Sequence, residues 1–269
     1  MQLRLLAVLV PIAFCIASFA WAQFRSVGGN VEAHLAQADS FDGRFHYCRA
    51  VYQRNPRGDG GSWLTDYPLA DIDLMIRLSE LTKTAVSFDA AGQPNHLIVR
   101  LTGDELYRCP VILMQEVGSL YFGATDAERL RAYLLKGGFL WVDDFWGSYA
   151  WQVWETEIRK VFPAVEYPIV DVTADHPIFH TMFDLKEVPQ IPGIGTFLAG
   201  RTSERGADSA VPHVRAITDE HGRIMVLMTH NTDFGDAFER EGVNHQYFLT
   251  FSVDGYAFGI NALIYSMTH

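Results

Sequence analysis

Short apolar runs alternate along this chain with stretches of helical periodicity, and that alternation limits the fold more than any other feature. Pro110–Met114 (PVILM), Phe139–Val142 (FLWV) and the run Arg223–Met228 (RIMVLM) have the hydrophobicity of strands buried on both faces. Between and after them lie amphipathic stretches. Leu69 to Lys83 places Leu69, Ile72, Met75, Ile76 and Ser79 on one helical face. Trp151, Trp154, Ile158 and Val161 form a second stripe, stopped by Pro163, and Phe258, Ala262, Ile264 and Tyr265 a third within Gly255 to Met267. Strands of this kind alternating with helices predict α/β architecture: a flavodoxin-like, doubly wound, mostly parallel sheet covered on both faces, in a single domain with an irregular insertion.

The remaining signals fill in this plan. Phe45 to Tyr52 (FHYCRAVY) reads as the first strand, and Gln53 to Ser62 as a turn-rich loop that is either a binding loop or a mobile one. Asp66-Tyr67-Pro68 supplies helix-start chemistry, Thr125 to Glu128 reads as a capping box, and Gly137-Gly138 ends the helix that follows it. Ile169 to Val172 is a further candidate strand, and Asp175 to Leu185 a turn with a short helix. Residues 187–219, rich in Gly, Pro and charge, read as an insertion or lid-like excursion.

The chain opens with Arg4, an apolar stretch from Leu5 to Phe19 and Ala20-Trp21-Ala22, the pattern of a secretory signal cleaved before Gln23. The expected organisation is a signal over 1–22, a flexible leader over 23–39 and the domain over 40–269, exported to the periplasm or secreted. The alternative is an uncleaved anchor, residues 5–22, which is the one route by which a membrane enters the reading. Cys15 lacks the small-residue box of a lipoprotein. Cys48 and Cys109 remain after cleavage; an oxidising compartment permits a bridge between them, while their placement in or beside separate strands leaves two buried thiols as the alternative.

In an open parallel sheet, ligands bind beyond the carboxyl ends of the strands. Gln115 and Glu116 follow the first apolar run, Asp143 and Asp144 the second, and Thr229, His230, Asn231 and Asp233 the third, with Asp236 close behind. Such carboxylates, amides and an imidazole suit a divalent cation, with Asp143, Asp144 and His230 as the expected ligands. Strand ends also meet water, and Asp143 or Asp144 could instead cap a helix beginning near Ser148. A formal charge of −11 argues against nucleic acid. His176 and His180 are interrupted by Pro177, and neither HExxH, a P-loop, GxSxG nor GxGxxG is present. Trp63, Trp141, Trp146, Trp151 and Trp154 read as core, with a sugar-stacking platform as the minor alternative.

FHYCRAVY, WLTDYPLADIDLMIRLSELT, GGFLWVDDFWG, HPIF and the terminal GINALIYSMTH together resemble an uncharacterised bacterial family, domain of unknown function 4159. The family's placement in the class I glutamine amidotransferase-like superfamily implies a flavodoxin-like fold and supplies no catalytic residues. Where true amidotransferases carry a cysteine nucleophile, the GGFLWVDDFWG segment offers Asp143 and Asp144, so thiol chemistry is not expected. Two functions follow as expectations. The first is an exported domain that binds a small polar ligand, a cation or an envelope protein partner at the acidic strand-end face. The second is a metal-assisted hydrolase using the same carboxylates and His230.

Overall fold

In the computed structural model, which describes residues 33–269, five parallel strands make up most of a seven-stranded sheet. The strands are β1 (Tyr47–Val51), β2 (Gln53–Arg54), β3 (His96–Arg100), β4 (Val111–Gln115), β5 (Leu120–Tyr121), β6 (Phe139–Phe145), β7 (Val170–Asp171), β8 (His213–Thr218) and β9 (Ile224–His230). The main sheet runs β3-β1-β4-β6-β9-β8-β7, with β2 and β5 pairing separately. From β3 to β9 all neighbours are parallel, whereas β8 and β7 extend the sheet antiparallel. Numbered by chain order among themselves, the five parallel strands follow the 2-1-3-4-5 order of flavodoxin-like sheets, with the switch point between β1 and β4.

The helices are α1 (Leu69–Leu81), α2 (Ala124–Leu135), α3 (Gly147–Val161), α4 (Ile194–Leu198), α5 (Phe234–Glu239), α6 (His245–Tyr247) and α7 (Val253–Thr268). Alternate residues of one strand feed opposite cores, which is why β4 is apolar over Val111–Met114 and β6 over Phe139–Val142. Ile112, Met114, Leu140 and Val142 pack with Leu130, Leu134, Trp154 and Ile158 of α2 and α3. Val111, Leu113, Phe139 and Trp141 pack with Leu74, Leu78, Phe258 and Leu263 of α1 and α7. Trp141, Trp146 and Trp154 are buried, and Trp63 and Trp151 lie against the core, as their core reading anticipates.

Several local features differ from expectation. Leu35 already bridges Ile98 and Ala36 is buried, so docking starts ahead of residue 40. The helix start at Thr125 shifts: Asp126 accepts the N–H of Gly123 at 3.0 Å, and α2 begins at Ala124. Residues 187–219 are not wholly an excursion, because His213–Thr218 is β8, hydrogen-bonded along β9. Cys48 and Cys109 are joined in a disulfide with a Cα–Cα distance of 6.1 Å. The two-thiol alternative failed because β1 and β4 are sheet neighbours, which brings the residue just ahead of β4 beside β1. The expected signal and most of the leader lie outside the described residues, among which no helix is long and apolar enough to cross a membrane.

Candidate functional site

The carboxyl ends of β4, β6 and β9 meet the segment ahead of α1 and the start of α5, and each contributes an acid. Four non-glycine residues adopt left-handed backbone conformations among the described residues: Asp66 (φ 61°), Glu116 (φ 55°), Asp144 (φ 55°) and Asn231 (φ 63°). Glu116, Asp144 and Asn231 stand at the ends of β4, β6 and β9, and Asp66 stands just before α1. This conformation is unfavourable for most side chains, and its concentration at one end of a sheet is typical of functional sites. At Asp144 it accompanies a register shift between Val142 and Phe145 on β6.

Both carboxylate oxygens of Asp143 are engaged. Its Oδ2 accepts the N–H groups of Phe234 at 2.8 Å and Gly235 at 3.1 Å, while Thr229 Oγ1 donates to Oδ1 at 2.5 Å. Trp141 Nε1 in turn donates to Thr229 at 2.9 Å. Asp143 therefore caps α5, after β9. The helix start near Ser148 is served instead by Asp208, whose Oδ2 accepts the Ser148 N–H at 2.8 Å. Burial pushes the Asp143 carboxyl up to about 7 against the pull of those donors.

Asp144 accepts from Trp146 Nε1 at 2.9 Å. Burial, then the charges of Glu116, Asp66 and Asp143, hold its carboxyl well above the ordinary range. Asp233 and Asp66 are raised for the same kind of reason, burial first, with Asp144 leading the charges around Asp233 and Asp236 those around Asp66. Glu116 is pushed up to about 7 by burial, opposed by the Gly61 N–H and reinforced by Glu204.

Asp66, Asp233 and Asp236 each offer a ligand atom within 4.8 Å of the others. Asp233 Oδ1 accepts the Asp236 N–H at 2.8 Å, and Asp236 accepts from Ile194 N–H and, at 3.3 Å, from Arg240 Nε. Asp66 Oδ2 is enclosed and meets no N–H or alcohol donor; it pairs with the Glu239 carboxyl only where one of the two acids holds a proton. Gly235 lets α5 reach this group: a Cβ there would lie 2.1 Å from Asp66 Oδ2 and 2.0 Å from Gln115 Nε2.

Gln115 is oriented from below. Arg49, fully buried on β1, pairs with Asp71 and donates to the carbonyls of Trp63 at 3.1 Å and Thr65 at 2.9 Å and to Gln115 Oε1 at 3.1 Å. The guanidinium thus fixes the turn that carries Asp66 and leaves the Gln115 amide nitrogen facing Gly235. The loop after β1 is anchored, with Asn55 N–H bonded to Ser119 O at 2.6 Å and Asp59 N–H to Gly118 O at 2.9 Å.

Of the residues expected at the site, Glu116, Asp144 and Asp233 converge with Asp66, and Gln115 and Asp143 support them. His230 does not join them. It follows Thr229 on β9, so its side chain takes the opposite face, where it packs on Phe145, Trp151 and His213 and meets Gly147 O at 3.0 Å. Burial lowers it to about 4. Asn231 spends its amide on structure, accepting from Gly147 N–H and donating to Val211 O, both at 2.8 Å. His176 and His180 flank a single 3-10 turn. Among the described residues the acids that meet at one point are Asp66, Asp233 and Asp236 rather than Asp143, Asp144 and His230, and the sequence signal of Asp66 and Asp236 was only that of a helix start and of acids trailing β9.

Residues 49–267 match the family described as Domain of unknown function (DUF4159). The chain belongs to this family. The match runs from Arg49 on β1 to Met267 near the end of α7, so every group of the acidic cluster falls within DUF4159. No curated protein shows significant similarity to the chain.

Proposed function

We propose that this chain is an exported domain that binds a divalent cation at its acidic strand-end face. The observation that carries the reading is the Asp66, Asp233 and Asp236 group, mutually within 4.8 Å, with an enclosed oxygen of Asp66 that meets no N–H or alcohol donor. Carboxylates packed this closely away from water either hold protons or neutralise a positive charge. An all-oxygen donor set favours hard ions such as Mg²⁺, Mn²⁺ or Ca²⁺. A small cationic ligand, or a basic side chain of an envelope partner, would meet the same electrostatic requirement and is the competing occupant.

The Cys48–Cys109 disulfide supports export to an oxidising compartment, in line with the expected signal over 1–22 or anchor over 5–22. The 2-1-3-4-5 order of the parallel strands supports kinship with the class I glutamine amidotransferase-like superfamily. The same disulfide takes up both cysteines of the described domain, which supports a site that works without thiol chemistry. A metal-assisted hydrolase is the second reading, favoured by one feature: Glu116, beside Asp144, is held at about 7, where a carboxylate serves as general base near neutral pH.

Equilibrium titration with Mn²⁺ tests the proposal. Wild-type protein is expected to bind, and Asp66→Asn and Asp233→Asn each to weaken binding by about tenfold or more. Absence of binding at millimolar ion, or unchanged affinity in both variants, sinks it.

A further inference from the structure

Arg205, in the segment between β7 and β8, reaches Asp59 in the loop after β1, with Nη2 to Oδ1 at 3.1 Å and Nε to Oδ2 at 3.3 Å. Both side chains retain contact with solvent. The pair stands at the edge of the acidic cluster: a Cβ on Gly60, next to Asp59, would lie 2.0 Å from Glu116 Oε2, and one on Gly193 would lie 2.7 Å from Glu204 Oε1 and 3.5 Å from Asp236 Oδ2, so Asp59 and Arg205 are among the charged groups bearing on Glu116.

The segment is firmly held at its base. Ile191 N–H donates to Thr232 Oγ1 at 3.0 Å, Asp233 N–H donates to Ile191 O at 3.0 Å, and Ile194 N–H donates to Asp236. Its tip is built differently. Gly200 (φ 74°) and Gly206 (φ 60°) are left-handed, both face open space, and they bracket the five residues that end in Arg205. Contacts of Thr202 and Glu204 stay within the segment, to Gln190 and Gly193, whereas Arg205 crosses to the other wall. An exposed ion pair is weak, so this crossing opens readily. An arriving cation is repelled by Arg205 and attracted by Asp59 and Glu116, which makes ion binding and latch closure mutually antagonistic.

We propose that Gly200–Gly206 is a strap latched across the mouth of the acidic cluster by Arg205 on Asp59, and that it opens to admit the ion; the second half rests on the cation reading above. Two substitutions of opposite charge effect separate a latch from simple electrostatics. Arg205→Gln removes a repelling cation and Asp59→Asn removes an attracting anion, yet both release the strap.

In metal-free protein, hydrogen exchange at residues 200–206 is expected to accelerate by about two- to fivefold in both variants, the range an exposed pair supports. Unchanged exchange in both overturns the strap. With Mn²⁺ in stopped flow, association is expected to quicken in both; slower association in Asp59→Asn overturns gating by the strap. If wild-type protein and both variants bind no Mn²⁺ while exchange still accelerates, the strap stands and the cation reading falls.

Discussion

Asp143 Oδ2 accepts the backbone N–H of Phe234 at 2.8 Å, so the end of β6 is fastened to the first residue of α5. The helix has six residues and would not persist alone, and Asp143 together with Gly235 contact sets where Asp233 and Asp236 lie. Asp143→Ala is therefore expected to cost about 3 kcal/mol, as for loss of charge-assisted bonds to buried donors. Asp143→Asn, which keeps an acceptor, should cost less. Chemical denaturation of metal-free protein measures both, and equal stability of Asp143→Ala and wild type would refute the capping role.

Metal-free protein should lose stability as pH rises through neutrality. Asp143 and Glu116 move up from ordinary values of 3.8 and 4.5 to about 7, and Asp66, Asp144 and Asp233 are raised as well. The folded state therefore keeps protons that the unfolded chain has released, and the stabilisation present below the unfolded values is lost as pH climbs through about 7. His230 acts in the opposite sense: lowered from 6.5 to about 4, it costs stability as pH falls across that interval. Several acids outweigh one imidazole. With chelator present, the melting temperature is expected to be roughly 5 °C or more higher near pH 6 than near pH 8. A saturating divalent ion should shrink the difference, and a melting temperature that climbs toward pH 8 without metal would contradict the assignment.

The Arg49–Asp71 pair is fully enclosed and reaches the site through the turn that carries Asp66 and through Gln115. Arg49→Met leaves Asp71 uncompensated and is expected to destabilise by about 3–5 kcal/mol, whereas Arg49→Met with Asp71→Leu should recover much of that loss. Arg49→Lys should fail to substitute, because a point charge cannot serve four acceptor groups in a planar fork. Urea unfolding of the three variants checks the order; additive losses in the double variant would count against a direct pair.

Reduction of Cys48–Cys109 opens a covalent loop with a sequence separation of 61, for which chain entropy gives a loss of about 4 kcal/mol at 25 °C. Cys48→Ala with Cys109→Ala should lower the unfolding midpoint correspondingly, with the native circular dichroism spectrum retained. A midpoint indifferent to reductant in wild-type protein would show that the bond does not form.

The parallel sheet was legible because buried strands cannot avoid being apolar: β4, β6 and β9 announce themselves. β3 (His96–Arg100) did not, since this edge strand has only Leu97, Ile98 and Val99 between His and Arg at its ends. The strand-end acids were legible for a topological reason, that side chains leaving a buried layer must be polar and must converge. Which of them share a face was harder. Strand alternation separates Thr229 from His230, but the bulge at Asp144 breaks that count on β6, and no sequence signal marks it. Asp66 looked like an ordinary helix-start residue and Asp236 like one more acid trailing β9; Asp236 lies beside Asp233 because both stand at the start of α5, whereas Asp66 reaches them only through tertiary packing of α1 against α5.

The four left-handed residues also have an evolutionary consequence. Glycine is the least costly occupant of such a backbone position, so a descendant that kept the fold but abandoned the chemistry would be free to drift toward glycine at 66, 116, 144 and 231. A carboxylate held at position 116 against that drift indicates selection on the side chain itself, and a glycine there marks a lineage that has let the chemistry go.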